Sequence, residues 1–207
     1  MTERLARVDA LVSQRMKEQN IPGYSLAILD RGTVIFQKPY GYADLAANEP
    51  VTNDTIFGLA SLTKTFTALS LLTLVDRGLI KLDAPLAKYL DGLTPPYQNL
   101  TIRQLASMTA GVPSKLSREV AWRNQMPILL ETPLASQPGS QFLYSNYSYR
   151  LLGSVIKTVA ERPYLEVVRE IILEPLNMES TATTVLLQRT GRVAQSYATI
   201  WVRTLGR

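Results

Sequence analysis

Ser61-Leu62-Thr63-Lys64 sets a hydroxyl and an amine three residues apart. On a helix, positions i and i+3 share a face, so the Lys64 amine can reach the Ser61 hydroxyl. Burial disfavours a charged lysine and lowers its pKa, and a neutral amine can take a proton from a neighbouring serine. Ser61 is therefore a candidate nucleophile. Alone, the spacing is common on helices, and its ordinary reading is a solvated lysine. Tyr144-Ser145-Asn146 is a second cluster, lying at the mouth of a helix after Pro138-Gly139 and Gln141-Phe142. A tyrosine there can share a proton with Lys64, because a nearby ammonium lowers a phenol's pKa. Asn146 can offer its amide to a substrate carbonyl. The ordinary reading of this cluster is a helix cap behind a packed aromatic. The chain contains no histidine and no cysteine. That excludes a Ser-His-Asp triad, a Cys-His dyad, disulfides, and thiolate- or histidine-bound metal. The base of any hydrolase built here must be Lys, Tyr, Asp or Glu.

These residues need elements to hold them. Leu5, Val8, Leu11, Val12 and Met16 recur at helical spacing, so the N-terminus reads as an amphipathic helix stopped by Ile21-Pro22-Gly23. Tyr24 to Leu29 and Thr33 to Gln37 flank Asp30-Arg31-Gly32 and predict a β-hairpin. Gly41 to Thr55 reads as polar and irregular. A helix is predicted from about Leu59 to Arg77, ended by Gly78, with leucines around most of its circumference. Such a helix should be buried on nearly all sides and suits a fixed reactive side chain. Thr101 and Gln104 have capping-box spacing at the head of a short helix to Met108. Gly111-Val112-Pro113 ends it, and a Pro-rich irregular stretch runs to Ser140. A helix starting near Ser145 or Asn146 carries Tyr149, Leu152, Ile156 and Val159 on one face, and Pro163 opens another through Leu173. A lone hairpin is not stable in water, so one edge should pair with further strands. The only short candidates are Val185 to Leu187 and Ile200 to Val202.

The 207 residues are 46% apolar and 19% charged, the composition of an ordinary folded globule. Net charge is +5, but four arginines and no acid fall between Ser180 and Arg207, which leaves 18 basic against 17 acidic side chains elsewhere. No helix carries a basic stripe, so nucleic acid is not an expected partner. The N-terminus lacks the apolar core and small-residue cleavage site of a secretory signal, and the longest apolar stretch, around Ala68 to Val75, is too short to span a bilayer. A cytoplasmic, non-membrane protein is expected.

From about Val8 to Tyr197 the chain resembles the serine β-lactamase and penicillin-binding protein family, in particular its class C and esterase-like branch. The resemblance is carried by IPGYSLAILDRG, GYADLAANEPVTNDTIFGLASLTKTFTA, LVDRGLIKLDAPLAKYL, LTIRQLASMTAGVP, YSNYSYRLLGSVI and ILEPLNMEST. It implies an α+β fold, β-lactamase/transpeptidase-like, with a partial antiparallel sheet and a helical subdomain. The expected parts are the N-terminal helix and hairpin in 1–58, the helical subdomain in 59–160, and a helix with a basic tail in 161–207, all within one domain. By the same resemblance Ser61 is the acylated nucleophile and Lys64 its base partner. Tyr144 activates the deacylating water, Asn146 positions the substrate amide or the lysine, and the Ser61 N–H is one oxyanion donor. Substrates would be small esters, amides or β-lactams, with esterase action ranked ahead of β-lactamase or D-alanyl-D-alanine peptidase action. No cofactor is implied.

Two departures from the family pattern stand out. The family's third box, [KH]-[ST]-G, lies on a strand beside the nucleophile. It is not found here, and Arg189-Thr190-Gly191 comes too early and otherwise reads as a polar turn. Loss of one oxyanion donor costs roughly 3–4 kcal/mol of transition-state stabilisation. The sequence therefore leaves a rival open, a truncated, non-catalytic remnant that binds a ligand or partner. With an uncovered sheet edge, low stability, self-association or a partner that supplies the missing part is expected. The second departure is Met108 and Ala110 in place of the family's common His and Ser, which should affect packing near the site more than chemistry.

Overall fold

A computed structural model describes residues 3–116, 121, 124–182 and 191–197. The chain divides into two compact units, one of Met1–Gly58 with Ala182–Arg207 and one of Leu59–Thr181.

In the first unit, α1 (Glu3–Gln19) precedes strands β1 (Gly23–Asp30), β2 (Thr33–Asp44) and β3 (Glu49–Pro50), ordered β1-β2-β3 in an antiparallel sheet. Arg31 and Gly32 form the predicted hairpin turn with φ of 48° and 80°, the left-handed pair that matches the twist of the flanking strands. β2 runs well past Gln37, correcting the reading of Gly41 onward as irregular. Pro39 and Gly41 look like breakers, yet Pro39 pairs opposite Ser25 and Gly41 opposite Gly23. Gly41 is required there, since a Cβ would stand 2.1 Å from the Pro22 carbonyl oxygen. α1 is tied to β2 by Lys38, whose ammonium donates to both carboxylate oxygens of Asp9 at 2.7 and 2.8 Å.

The far end of β2 is covered by residues 193–197, whose sequence carries no regular pattern. Ile56 and Val193 form a parallel bridge, the Gln195 amide donates to the Ala43 carbonyl at 2.8 Å, and the Leu45 amide donates to the Tyr197 hydroxyl at 2.7 Å. β1 pairs only with β2 among the described residues. The two short strands proposed near 185–187 and 200–202 lie outside the described residues, as do Arg189 and Thr190.

The second unit is helical. α2 (Thr63–Asp76) packs against α6 (Asn146–Ala160), α7 (Tyr164–Val168) and the π-helical turn Arg169–Leu173. Between them come three short helices, α3 (Pro95–Gln98), α4 (Ile102–Ala106) and α5 (Gln125–Glu131). α5 lies in the stretch expected to be irregular. Its proline, Pro127, sits in the first turn, where a missing N–H costs nothing. The core joins Leu71 and Leu74 of α2 with Leu105 of α4, Leu129 of α5, and Leu151, Leu152, Val155 and Ile156 of α6. Tyr97 is fully buried, its hydroxyl donating to the Thr132 carbonyl, and burial pushes its pKa up to about 12.

α2 is not buried on all sides as its leucines suggested. Leu71 and Leu74 are inside, but Leu69 and Leu72 remain 48% and 46% exposed. Its neighbours α6, α7 and the π-helical turn take up one face. No helix among the described residues is long and apolar enough to cross a membrane.

The predicted capping box is present. The Thr101 hydroxyl accepts from the Gln104 amide at 3.1 Å, and the Gln104 side chain accepts from the Thr101 amide at 3.0 Å. Thr101→Ala should lower stability by about 1 kcal/mol. Urea unfolding checks this, and an unmoved midpoint would contradict it.

Candidate active site

Ser61 lies on a 3₁₀ turn, Ala60–Leu62, that leads directly into α2. The turn keeps the i, i+3 relation, since side chains three apart eclipse on a 3₁₀ helix. Lys64, in the first turn of α2, donates from Nζ to Ser61 Oγ at 3.3 Å. Ala60, just before the serine, has a φ of 44°, a left-handed conformation that an alanine adopts only at a cost of about 1 kcal/mol or more. Nothing in the sequence signalled this strained residue.

Tyr144 and Asn146 reach the same point from the other side of the helical unit. Ser145, between them, is fully buried and caps α6, accepting from the Tyr147 and Ser148 amides. Its hydroxyl also donates to the Pro113 carbonyl at 2.8 Å. The strand of chain before it is fixed by the Leu143 amide, which donates to the Met108 carbonyl at 2.8 Å. Met108 is itself left-handed, with φ 57°. The loop that ends α4 thus sets the height of Tyr144, and the Met108 and Ala110 positions are buried parts of that support. Gly111 completes it. A Cβ there would stand 2.1 Å from the Ser136 carbonyl oxygen.

All four residues singled out by the sequence come together. Ser61 Oγ and the Tyr144 hydroxyl share a hydrogen bond of 2.7 Å. Lys64 Nζ donates to Asn146 Oδ1, also at 2.7 Å. The ammonium lies 4.8 Å from the centre of the Tyr144 ring and 5.8 Å from that of Tyr149, within range of cation–π attraction. Lys64 therefore points into the cluster and not into bulk water. The expected dryness is absent, however. Lys64 is half-buried, Ser61 is exposed, and Tyr144 is 43% exposed. The amine is oriented by Asn146 and two aromatic rings, not by enclosure in apolar surroundings.

The Tyr144 phenol is lowered below its ordinary value of 10.0, first by its hydrogen bond with Lys64, then by that with Ser61. Helical spacing alone places Tyr149 on the buried face of its helix. In the structure its hydroxyl donates to the Ala106 carbonyl at 3.0 Å while its ring faces Lys64, and burial raises its pKa.

Beside Lys64 a cavity of about 500 Å³ opens between α2, α6 and α7. One wall is braced by the Thr67 and Tyr164 hydroxyls, 2.8 Å apart. Among the described residues no group of three or more His, Cys, Asp or Glu side chains could hold a metal ion. The arrangement sets a serine hydroxyl in direct contact with a phenol and an amine, with an amide beside them, a set that can carry nucleophilic acyl transfer.

A family model described as beta-lactamase matches residues 8–204. Protein flp of Staphylococcus aureus (strain MW2) is 31% identical over 186 residues, covering 84% of this chain and 37% of that protein. Esterase EstB of Burkholderia gladioli is 30% identical over 196 residues, covering 84% of this chain and 50% of that protein. Among solved structures, the octameric penicillin-binding protein homologue from Pyrococcus abyssi superposes with a TM-score of 0.83 at 29% identity, over 94% of this chain and 48% of that one. EstCE1, a hydrolase with promiscuous acyltransferase activity, gives 0.79 at 25% identity, over 93% of this chain and 56% of that one. The chain spans half the length, or less, of these two curated relatives.

Proposed function

The chain belongs to the beta-lactamase family and has its α+β fold, and from that premise we propose that it is a serine hydrolase working through an acyl-enzyme on small esters. The observation that carries this is the contact of Ser61 Oγ with both the Tyr144 hydroxyl and Lys64 Nζ. Ser61 Oγ attacks the carbonyl carbon as its proton passes to the Lys64–Tyr144 pair. The leaving oxygen then departs with a proton returned by that pair. Water next attacks the acyl-serine, losing its proton to Tyr144, and the carboxylic acid leaves as Ser61 regains its hydrogen. The Ser61 amide serves as an oxyanion donor. Asn146, which accepts from Lys64, holds the amine in line and offers its own N–H₂ to the substrate carbonyl.

Esterase action ranks first because EstB and EstCE1 are described as an esterase and a hydrolase. Action on β-lactams or D-alanyl-D-alanine peptides ranks second, supported by the likeness to a penicillin-binding protein homologue. Turnover of 4-nitrophenyl butyrate beside a chromogenic cephalosporin decides between them. Faster ester turnover supports the ranking, and cephalosporin turnover alone reverses it.

The lowered phenol sets a pH dependence. As a base, Tyr144 acts in its phenolate form, whose fraction grows with pH through a value below 10.0. Ester turnover should therefore rise with pH and level off before the range of a free phenol. Tyr144→Phe should remove that limb and slow turnover by about 10²-fold or more. A pH profile unchanged by this substitution would contradict the role.

A further inference from the structure

Apart from Lys64 and Asn146, the residues that line the cavity have no part in the proton transfers above, and the lining is chemically one-sided. Lys64 forms its near end, the rings of Tyr149 and Tyr164 give it aromatic walls, and Gly153 leaves the α6 side open. Two further cations, Arg150 and Lys157, sit seven residues apart on the same face of α6. Among the described residues, none that lines it is an acid. Arg150 is held in place where its guanidinium donates to the side-chain oxygen of Gln125 at 2.8 Å. Lys157 makes no ion pair among the described residues. Its volume of about 500 Å³ lies within the range of small-molecule sites.

We infer that this cavity receives the acyl part of the substrate and selects acyl chains that end in a carboxylate, with Lys157 meeting the far anion. The inference rests on the acyl-transfer reading of Ser61. The near end of the cavity adjoins the reacting groups, because Lys64 and Asn146 belong both to the cluster and to the lining. From Asn146 to Gly153 α6 rises about 10 Å. The Lys157 side chain leans back toward the helix N-terminus, as helical side chains do. A medium-length chain, such as that of suberic acid, spans that interval, with its methylenes against the two rings and its carboxylate at Lys157. A short acyl group such as butyryl does not reach that ammonium.

The test compares the 4-nitrophenyl half-ester of suberate with 4-nitrophenyl octanoate, equal in chain length and different in terminal charge. Ser61 takes the acyl group, nitrophenolate leaves, and water releases the diacid. The half-ester should show a kcat/KM about tenfold above octanoate, the scale of one charge-assisted hydrogen bond in a partly open site. Added salt should shrink that ratio. Lys157→Glu, at an exposed position, should turn the preference toward octanoate. A ratio at or below unity, or one that Lys157→Glu leaves unchanged, overturns the inference while leaving octanoate turnover to support the acyl-transfer reading. If neither ester is turned over and Ser61 takes no label, the acyl-transfer reading fails. The cavity is then read by titrating suberate and its neutral diamide into the Ser61→Ala protein. Suberate binding lost in the Ser61→Ala, Lys157→Glu double variant supports the anion site, and equal binding of the two compounds overturns it.

Discussion

Ser61→Ala should abolish ester turnover, lowering kcat/KM by at least about 10⁴-fold, because removing the nucleophile of a covalent mechanism removes the step that all the others assist. The same substitution should leave the fold almost untouched. Ser61 is exposed, and its hydroxyl bonds only to Tyr144 and Lys64 among the contacts described. Exposed positions of this kind usually shift stability by no more than about 0.5 kcal/mol. Activity and urea stability measured on one preparation separate the two effects. A Ser61→Ala protein that keeps its turnover would mean that the chemistry happens elsewhere. A protein that loses both turnover and cooperative unfolding would mean that Ser61 is structural.

Lys64→Ala should slow acylation by about 10²–10⁴-fold, the usual worth of a positioned general base. It also removes the group that most lowers the Tyr144 phenol. The rising limb of the pH profile should then move upward toward the ordinary phenol value of 10.0 as activity falls. Lys64→Arg tells two roles apart. A guanidinium keeps the positive charge beside Tyr144 but does not release its proton at accessible pH. If Lys64 moves a proton, Arg fails nearly as badly as Ala. If it only holds the phenol in its charged form, Arg restores much of the rate. The account predicts failure, read from pre-steady-state acylation rates across pH, and rescue by Arg would reassign Lys64 to an electrostatic role.

Local sequence signals located much of the helical scaffold. Thr101 with Gln104 marked the head of α4, Ser145 marked the head of α6, and Asp30-Arg31-Gly32 marked the hairpin, because each uses side-chain or backbone chemistry confined to a few neighbouring residues. Tertiary packing decided the rest. Pro39 and Gly41 look like strand breakers until Gly41 is seen to make room for the Pro22 carbonyl. The leucines of α2 predict burial all round, but its packing partners occupy one face. Pro127 hid α5, because a proline in the first turn of a helix looks like one in a loop.

The candidate site shows the same division. The Ser61–Lys64 pair was legible from helical spacing alone. That Tyr144 and Asn146 would meet it depends on a loop whose anchors are backbone carbonyls of Met108 and Pro113, and carbonyls leave no mark in a sequence. Arg150 and Lys157 were less visible still. They lie opposite the buried Leu151, Leu152, Val155 and Ile156, where cations read as an ordinary solvated helix face. Only the placement of α2 and α7 makes that face a cavity wall.

The central claim is that Ser61 is a nucleophile made reactive by Lys64. Exposure to a reactive phosphonate ester, followed by intact-protein mass and peptide mapping, tests it most directly. The account predicts one adduct per chain, on Ser61, formed at least about 10²-fold more slowly in Lys64→Ala. No adduct, an adduct on another residue, or equal labelling rates with and without the Lys64 amine would contradict it.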